Sequence, residues 1–306
     1  MPLPAPVDLA SAAQVVACLE AGSRANLDAR CRVGSIDVVE GPGTLLATGD
    51  LHDNPVHLQR VVEMAGLDGD GEPAHVTLHE LIHGENLHEG MDPSYRVLVR
   101  AAALKAANPE RVHVLLANHE LSQIAGRGVI KNGVNCVKAF NDAVEYVFGG
   151  SAPGVAAALA AFIRSMPIAL RCRPVGGGEG GDILCAHSLP GDGDLDRFDA
   201  SLLERPLNEA DYQPRTGSAH LMTWGRGHSP STLTDLARRW GACLFVLGHE
   251  KAENGWLRLE PNALVLNSDH AKGCVCEVSL VGWADLDRAV AGVRNLAAFA
   301  DGRASG

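Results

Sequence analysis

Five short apolar runs in this chain each lead into residues whose side chains can bind a metal ion. Thr44–Thr48 leads into Asp50 and His52, Val76–Leu78 into His79 and Glu80, and Val112–Leu116 into Asn118 and His119. Ile183–Ala186 leads into His187, and Cys243–Leu247 into His249. These are oxygen and nitrogen donors of hard to borderline character, which suit two divalent metal ions (Mn, Fe or Zn) better than a sulfur site does. Alternate residues of an extended backbone point the same way, so Asp50 and His52 can approach one ion together. A second ion needs a bridging carboxylate and ligands from other loops, and Asn118, His187 and His249 offer them. Two cations about 3.5–4 Å apart can clamp a phosphoryl group and turn a shared water into a hydroxide nucleophile. His119, next to Asn118 but pointing elsewhere, could protonate the leaving alcohol oxygen.

Distant residues of this kind meet when loops at the carboxyl ends of strands share one edge of a sheet. The rest of the pattern supports such a scaffold. Helices are expected from Asp8 to about Ala21, then over Pro55–Ala65, Ser94–Ala107, Val134–Phe148, Val155–Ser165 and Ser231–Trp240, with a closing helix over Asp285–Ala298. The glycine-rich segment 149–154 separates two of these, and Gly176–Gly181 reads as a turn or flexible loop. Trp256–Leu259, Ala263–Leu266 and Cys274–Leu280 read as consecutive strands in an antiparallel portion of sheet. Strand and helix alternate over the first two-thirds of the chain. The expected architecture is therefore α/β, two facing mixed β-sheets flanked by helices, in a single domain spanning 1–306 with its core at about 44–280.

Composition narrows the function. A formal net charge of −11 argues against broad nucleic-acid binding, which needs clustered Lys and Arg. An anionic substrate has to be drawn in by bound metal and a few local arginines. The eight cysteines form no CxxC pair, and Cys274 and Cys276 alternate in a strand-like run as core thiols do. There is no basic leader followed by an apolar stretch, and no unbroken apolar run of about 20 residues, so the expectation is a cytoplasmic protein without a membrane partner. The pattern sets no oligomeric state.

Taken in order, Gly49-Asp50-Leu51-His52, Ala117-Asn118-His119-Glu120, Ala186-His187 and Gly248-His249 resemble the GDxH, GNHE, H and GH blocks of calcineurin-like metallophosphoesterases. Within that superfamily the likeness is greatest to PPP-type serine/threonine protein phosphatases. Asn108-Pro109-Glu110-Arg111 ahead of Asn118 is similar to their PEN stretch, and Phe162 to Ala169 followed by Leu184 to His187 to their LPIAA and CCHGG stretch. Thr223-Trp224-Gly225-Arg226 stands where they carry a Trp and a phosphate-binding Arg. The likeness spans roughly residues 44–280 and implies a dinuclear centre. Asp50, His52 and His249 would hold one metal, Asn118 and His187 the other, with Glu80 between them. His119 would be the acid and Arg226 a phosphate clamp.

The departures fall in the second block, where the family has GDxVDRG. Aligned by the preceding strand, Glu80 takes the bridging position, His83 that of the Asp supporting the catalytic His, and Gly84 that of a phosphate-holding Arg. His79 or His83 could ligate in place of Glu80, whose extra methylene shifts the carboxylate by more than about 1 Å. Asp53 stands where the family usually has Gly. The insertion Glu85–Pro93 adds His88, Glu89 and Asp92, and Asp269-His270 could approach the site. Glu120 is expected to orient a neighbouring loop without binding metal.

The leading expectation is a phosphoesterase acting on phosphomonoesters, with phosphoserine or phosphothreonine in proteins as substrate. A small-molecule phosphatase or a dinucleoside polyphosphate hydrolase is the enzymatic alternative. The competing class is a catalytically weak metal- or phosphate-binding interaction protein, motivated by the altered second block.

Overall fold

The computed structural model describes residues 6–67, 74–127, 129–176 and 180–298. Two mixed sheets stand face to face. One runs in the spatial order Arg32–Val33, Ile36–Glu40, Ala169–Arg173, Asp182–Ala186, Ala242–Leu247, Ala263–Leu266, Trp256–Leu259. The other runs Val293–Asn295, Cys274–Ser279, Thr44–Thr48, His75–Leu78, Val112–Val114. Their inner faces meet through Leu45, Ala47, Cys276 and Val278 on one side and Leu170, Ile183, Leu244 and Leu264 on the other. Leu46, Val76, Leu78 and Val112 belong instead to the cluster shared with the flanking helices, with Leu58, Val61, Leu98 and Val99 as partners. Burial on both faces explains why these strands read as unbroken apolar runs rather than as an alternating pattern.

The central strands are parallel in each sheet. Thr44–Thr48 pairs in parallel with His75–Leu78, and that strand with Val112–Val114. Asp182–Ala186, Ala242–Leu247 and Ala263–Leu266 are parallel in the same way. All the ligand-bearing loops therefore leave from carboxyl ends of parallel strands. Asp50 joins the two sheets there, bridging His79 on one side and Asn267 on the other.

The helices follow their sequence signals in most places. Asn54 caps Pro55–Met64, its Oδ1 accepting the His57 amide at 2.9 Å, with Pro55 in the first turn. The first helix is displaced, running Ala12–Asp28, because Asp8 spends its carboxylate on the Ala10 amide and the helix starts after Ser11. Gly149–Ser151 separates the helices Cys136–Phe148 and Ala152–Ser165, a shorter break than expected. It forms one 3-10 turn that passes directly into Ala152–Ser165. The resulting helical stretch Cys136–Ser165 is long and apolar enough to cross a membrane by length and composition alone. Its Phe140, Val144, Leu159 and Phe162 nevertheless pack into the protein core.

Two expectations at the end of the chain are corrected. Cys274–Ser279 does not continue a meander with its predecessors but crosses to the other sheet, antiparallel to Thr44–Thr48. The closing helix covers only Leu286–Ala291, after which Val293–Asn295 is a strand paired with Cys274–Cys276. Gly292 forms the junction, where a Cβ would stand 2.1 Å from the Glu277 carbonyl oxygen, so the chain turns against the sheet. Within Gly176–Gly181, residues 177–179 lie outside the described residues.

Asp37, on Ile36–Glu40, anchors a buried polar network away from the strand ends. It accepts Arg32 Nε at 2.9 Å and His113 Nδ1 at 2.7 Å, with Lys105 Nζ at 3.7 Å. Cys31 completes a group with Asp37 and His113 that has metal-ligating donors. The cations Arg32 and Lys105 already compensate the carboxylate, so the cluster is a structural ion network. All eight cysteines are free.

Candidate metal centre

Asp50, His52, Glu80, Asn118, His119, His187 and His249 meet at the shared strand-end edge, and each is at least partly buried. Glu80 is at the middle. Its Oε1 lies 3.2 Å from His52 Nε2 and 3.3 Å from His119 Nε2, and its Oε2 lies 2.7 Å from His187 Nε2. His187 Nε2 is also 2.7 Å from Asn118 Oδ1 and 3.1 Å from His249 Nδ1. The His249 ring thus stands with His187 and Glu80 Oε2, and only its backbone N–H meets Asp50, at 2.9 and 3.0 Å from the two carboxylate oxygens. The sequence had grouped this ring with Asp50 and His52. In space it belongs with Asn118 and His187.

Tight loops produce this convergence. His52, Asp53, Glu80, His83 and His249 all have positive φ, between 39° and 66°, a conformation that is costly for residues with a Cβ. Gly248 is required by close approach, because a Cβ there would fall 2.3 Å from Asp50 Oδ1 and 2.5 Å from His79 Cε1. Glu120 holds the Glu80 loop from behind, accepting the Leu81 amide at 2.8 Å and the Ile82 amide at 3.3 Å.

The protons in the site can be assigned from the hydrogen-bond network. His79 Nε2–H donates to the Thr48 carbonyl at 2.8 Å, which leaves its Nδ1 to accept from His187 Nδ1–H at 3.1 Å. His187 turns its Nε2 toward Asn118 Oδ1, Glu80 Oε2 and His249 Nδ1. Glu80 Oε2 and His249 Nε2 are buried without a hydrogen-bond partner. Metal-ligating atoms crowded this closely, two of them buried and unpartnered, are satisfied by cations, and the donor set fits divalent Mn, Fe or Zn.

Burial works to lower His187 and His52, but the Glu80 carboxylate beside them raises His187 above the usual imidazole value and His52 to about 9. Burial and the Glu80 charge push Asp50 up to about 7. Burial works to raise Glu80 as well, but His187, His119 and His52 hold it well below the usual carboxylate range. Burial, with added pressure from His187, lowers His249 to about 2 and keeps its ring neutral.

His83 and Arg226 also reach the site. His83 Nδ1 is 3.0 Å from His119 Nδ1, and Arg226 Nη2 is 3.5 Å from His249 Nδ1. Asp269 and His270 lie on the wall of the same cleft, of about 670 Å³, while His270 Nε2 is turned to the Ala252 carbonyl at 3.1 Å. His75 and His113 belong to the Asp37 network, and His228 faces the Leu189 carbonyl.

Lys131 was missed by the sequence reading. It lies on the cleft wall, on a hairpin formed by Ile130–Lys131 and Val134–Asn135, and pairs at 3.5 Å with Glu85. The Asn132-Gly133 turn was the available signal, and both residues have positive φ as such a hairpin needs.

The two small departures noted in the sequence prove to be one packing event. A Cβ on Gly84 would fall 2.6 Å from Asp53 Cβ and 2.9 Å from the His52 carbonyl oxygen. Asp53 thus fills the space from which a side chain at 84 would start. Gly84→Arg is expected to lose stability by about 1–3 kcal/mol, the usual cost of overpacking, and to lower metal content by displacing His52. Asp53→Gly with Gly84→Arg should recover part of both. Thermal melts and elemental analysis test this, and a stable Gly84→Arg protein with full metal content counts against the packing account.

Solved structures show the same architecture. The chain matches a Saccharomyces cerevisiae protein serine/threonine phosphatase, described by its similarity to human phosphatase PP5, with a TM-score of 0.64 and 14% identity over 88% of this chain and 83% of that one. It matches a cold-active protein-tyrosine phosphatase of a psychrophilic Shewanella with a TM-score of 0.53 and 14% identity, over 79% and 77% of the two chains. No family model and no curated protein matches the sequence. The two facing mixed β-sheets flanked by helices expected from the sequence are the fold of this chain, and these solved structures share it.

Proposed function

We propose that this chain is a single-domain, dinuclear metal-dependent phosphoesterase that hydrolyses phosphomonoesters. The observation that carries the reading is Glu80, whose two oxygens face two separate groups of nitrogen and oxygen donors. Asn118, His187 and His249 would hold one ion through Oε2. His52, with Asp50 nearby, would serve the other through Oε1. A bound pair of Mn, Fe or Zn supplies an acidified water as nucleophile and neutralises charge on the phosphoryl group.

The chain's own groups do the rest. Arg226, exposed at the cleft mouth beside His249, binds a phosphoryl oxygen with its planar fork. Glu250 accepts the Gly227 amide at 2.8 Å and so fixes the loop that carries Arg226. Cations Arg226, Lys131 and Lys251 are interleaved with Glu85, Glu250 and Glu253 around the cleft, which favours a phosphate on a polar carrier over an apolar ester. Phosphoserine or phosphothreonine in a protein fits this wall, and the likeness in fold to a protein serine/threonine phosphatase and a protein-tyrosine phosphatase supports a phosphoprotein substrate. Small phosphomonoesters and dinucleoside polyphosphates are the other substrates to be compared.

Hydrolysis of p-nitrophenyl phosphate tests the reading. Turnover should be absent after chelation and restored by Mn²⁺. Metal-loaded protein with no turnover of this ester, of phosphopeptides or of dinucleoside polyphosphates would leave the interaction-protein alternative standing instead.

A further inference from the structure

The hydrogen bonds behind His52 and His119 fix which nitrogen of each ring faces Glu80. His52 Nδ1–H donates to the Ile82 carbonyl at 3.1 Å, which leaves Nε2 as the nitrogen turned to Glu80. For His119 the chain of assignments is longer. Gln123 Nε2 donates to Asn141 Oδ1 at 2.7 Å, which turns Gln123 Oε1 toward His83. His83 Nε2–H donates to that oxygen at 3.1 Å, leaving His83 Nδ1 as an acceptor. His119 Nδ1–H then donates to His83 Nδ1 at 3.0 Å, and His119 Nε2 is bare.

Both Nε2 atoms face the same carboxylate oxygen, at 3.2 and 3.3 Å, and the three atoms form a group of metal-ligating geometry. We propose that His119 is a metal ligand, completing a set of two histidines and one carboxylate with His52 and Glu80 Oε1, and is not the proton donor to the leaving group. His83 is then a positioning residue that fixes the tautomer of His119, as His79 does for His187. Partners of this kind typically change metal affinity by about 10–100-fold. The inference rests on the two-metal centre proposed above but not on phosphoester hydrolysis.

The test is metal binding by the full chain, with Mn²⁺ as the probe and elemental analysis after removal of free metal. Wild-type protein should hold close to two ions and His119→Ala close to one. Gln123→Ala, a change outside the ligand set that leaves the fold unburdened, should weaken Mn²⁺ binding by about 10-fold through the loosened His83. Co²⁺-loaded His119→Ala should also show an altered visible spectrum, which a proton donor removed from the metal would not cause. Wild-type Mn²⁺ content and affinity in both variants, with loss of alkyl phosphate hydrolysis only in His119→Ala, would overturn the proposal and restore the acid role. Wild-type protein that binds two ions yet hydrolyses no phosphoester would overturn the enzyme reading alone. Wild-type protein that binds no metal would overturn both.

Discussion

Glu80→Gln is expected to remove at least one metal ion and to lower any hydrolytic turnover by more than about 10²-fold. The amide keeps the size of the side chain but replaces one oxygen by a donor. Each Glu80 oxygen faces a separate group of ligand nitrogens, His52 and His119 on one side and His187 on the other, so either amide orientation turns a non-ligating NH2 group toward one of them. Glu80→Asp should also lose activity. The backbone here holds a positive φ of 48°, and the longer side chain spans the two donor groups from that position. Elemental analysis with a turnover assay decides the matter. Two ions retained in Glu80→Gln would show that the bridging carboxylate lies elsewhere, and a gain in Glu80→Asp would show that the loop still suits the shorter acid.

Much of this centre was legible because each ligand directly follows a buried strand. Burial on both faces makes the strand an apolar run, and the first polar residues after it stand on the edge that parallel packing brings together. Asp50, His52, Asn118, His187 and His249 could be named on that ground alone. What the sequence could not show is how side chains from different loops divide the space. His79 and His187 are far apart in the chain, and nothing local to either signals that one accepts the other's proton. Gly84 and Asp53 read as two separate departures until the backbone placed them against each other. The destination of Cys274–Ser279 was hidden for a related reason. Strand propensity marks an extended segment, but the sheet it joins is set by the turn before it and by the edge left free beside Thr44–Thr48.

Away from the metal centre, the largest expected stability effect belongs to Asp37. Its carboxylate and the Lys105 ammonium group are both fully buried, with Arg32 and His113 completing the network. Burial alone would raise the Asp37 pKa, but the His113 hydrogen bond and the charges of His113, Lys105 and Arg32 hold it well below the usual carboxylate range. Asp37→Ala leaves a buried ammonium group without its counter-charge, and the expected loss is about 3–5 kcal/mol. In a chain of this size that lowers the melting temperature on the order of 10 °C. The sign of the pH dependence follows from the depressed pKa. The contribution is fully present above the unfolded-state value of about 3.9 and disappears as the pH falls from there toward the folded-state value. The gap between wild-type and Asp37→Ala proteins should therefore be constant near neutrality and close in acid. Metal content should not change, because Asp37 is tied to Arg32, Lys105 and His113 and to none of the metal-centre residues. Asp37→Leu with Lys105→Met should recover part of the loss, since removing both charges spares the cost of burying one alone. Thermal melts of these proteins across pH provide the measurement. A loss below about 1 kcal/mol in Asp37→Ala would mean that Lys105 finds water or another acceptor, such as the Pro109 carbonyl it already meets at 2.7 Å.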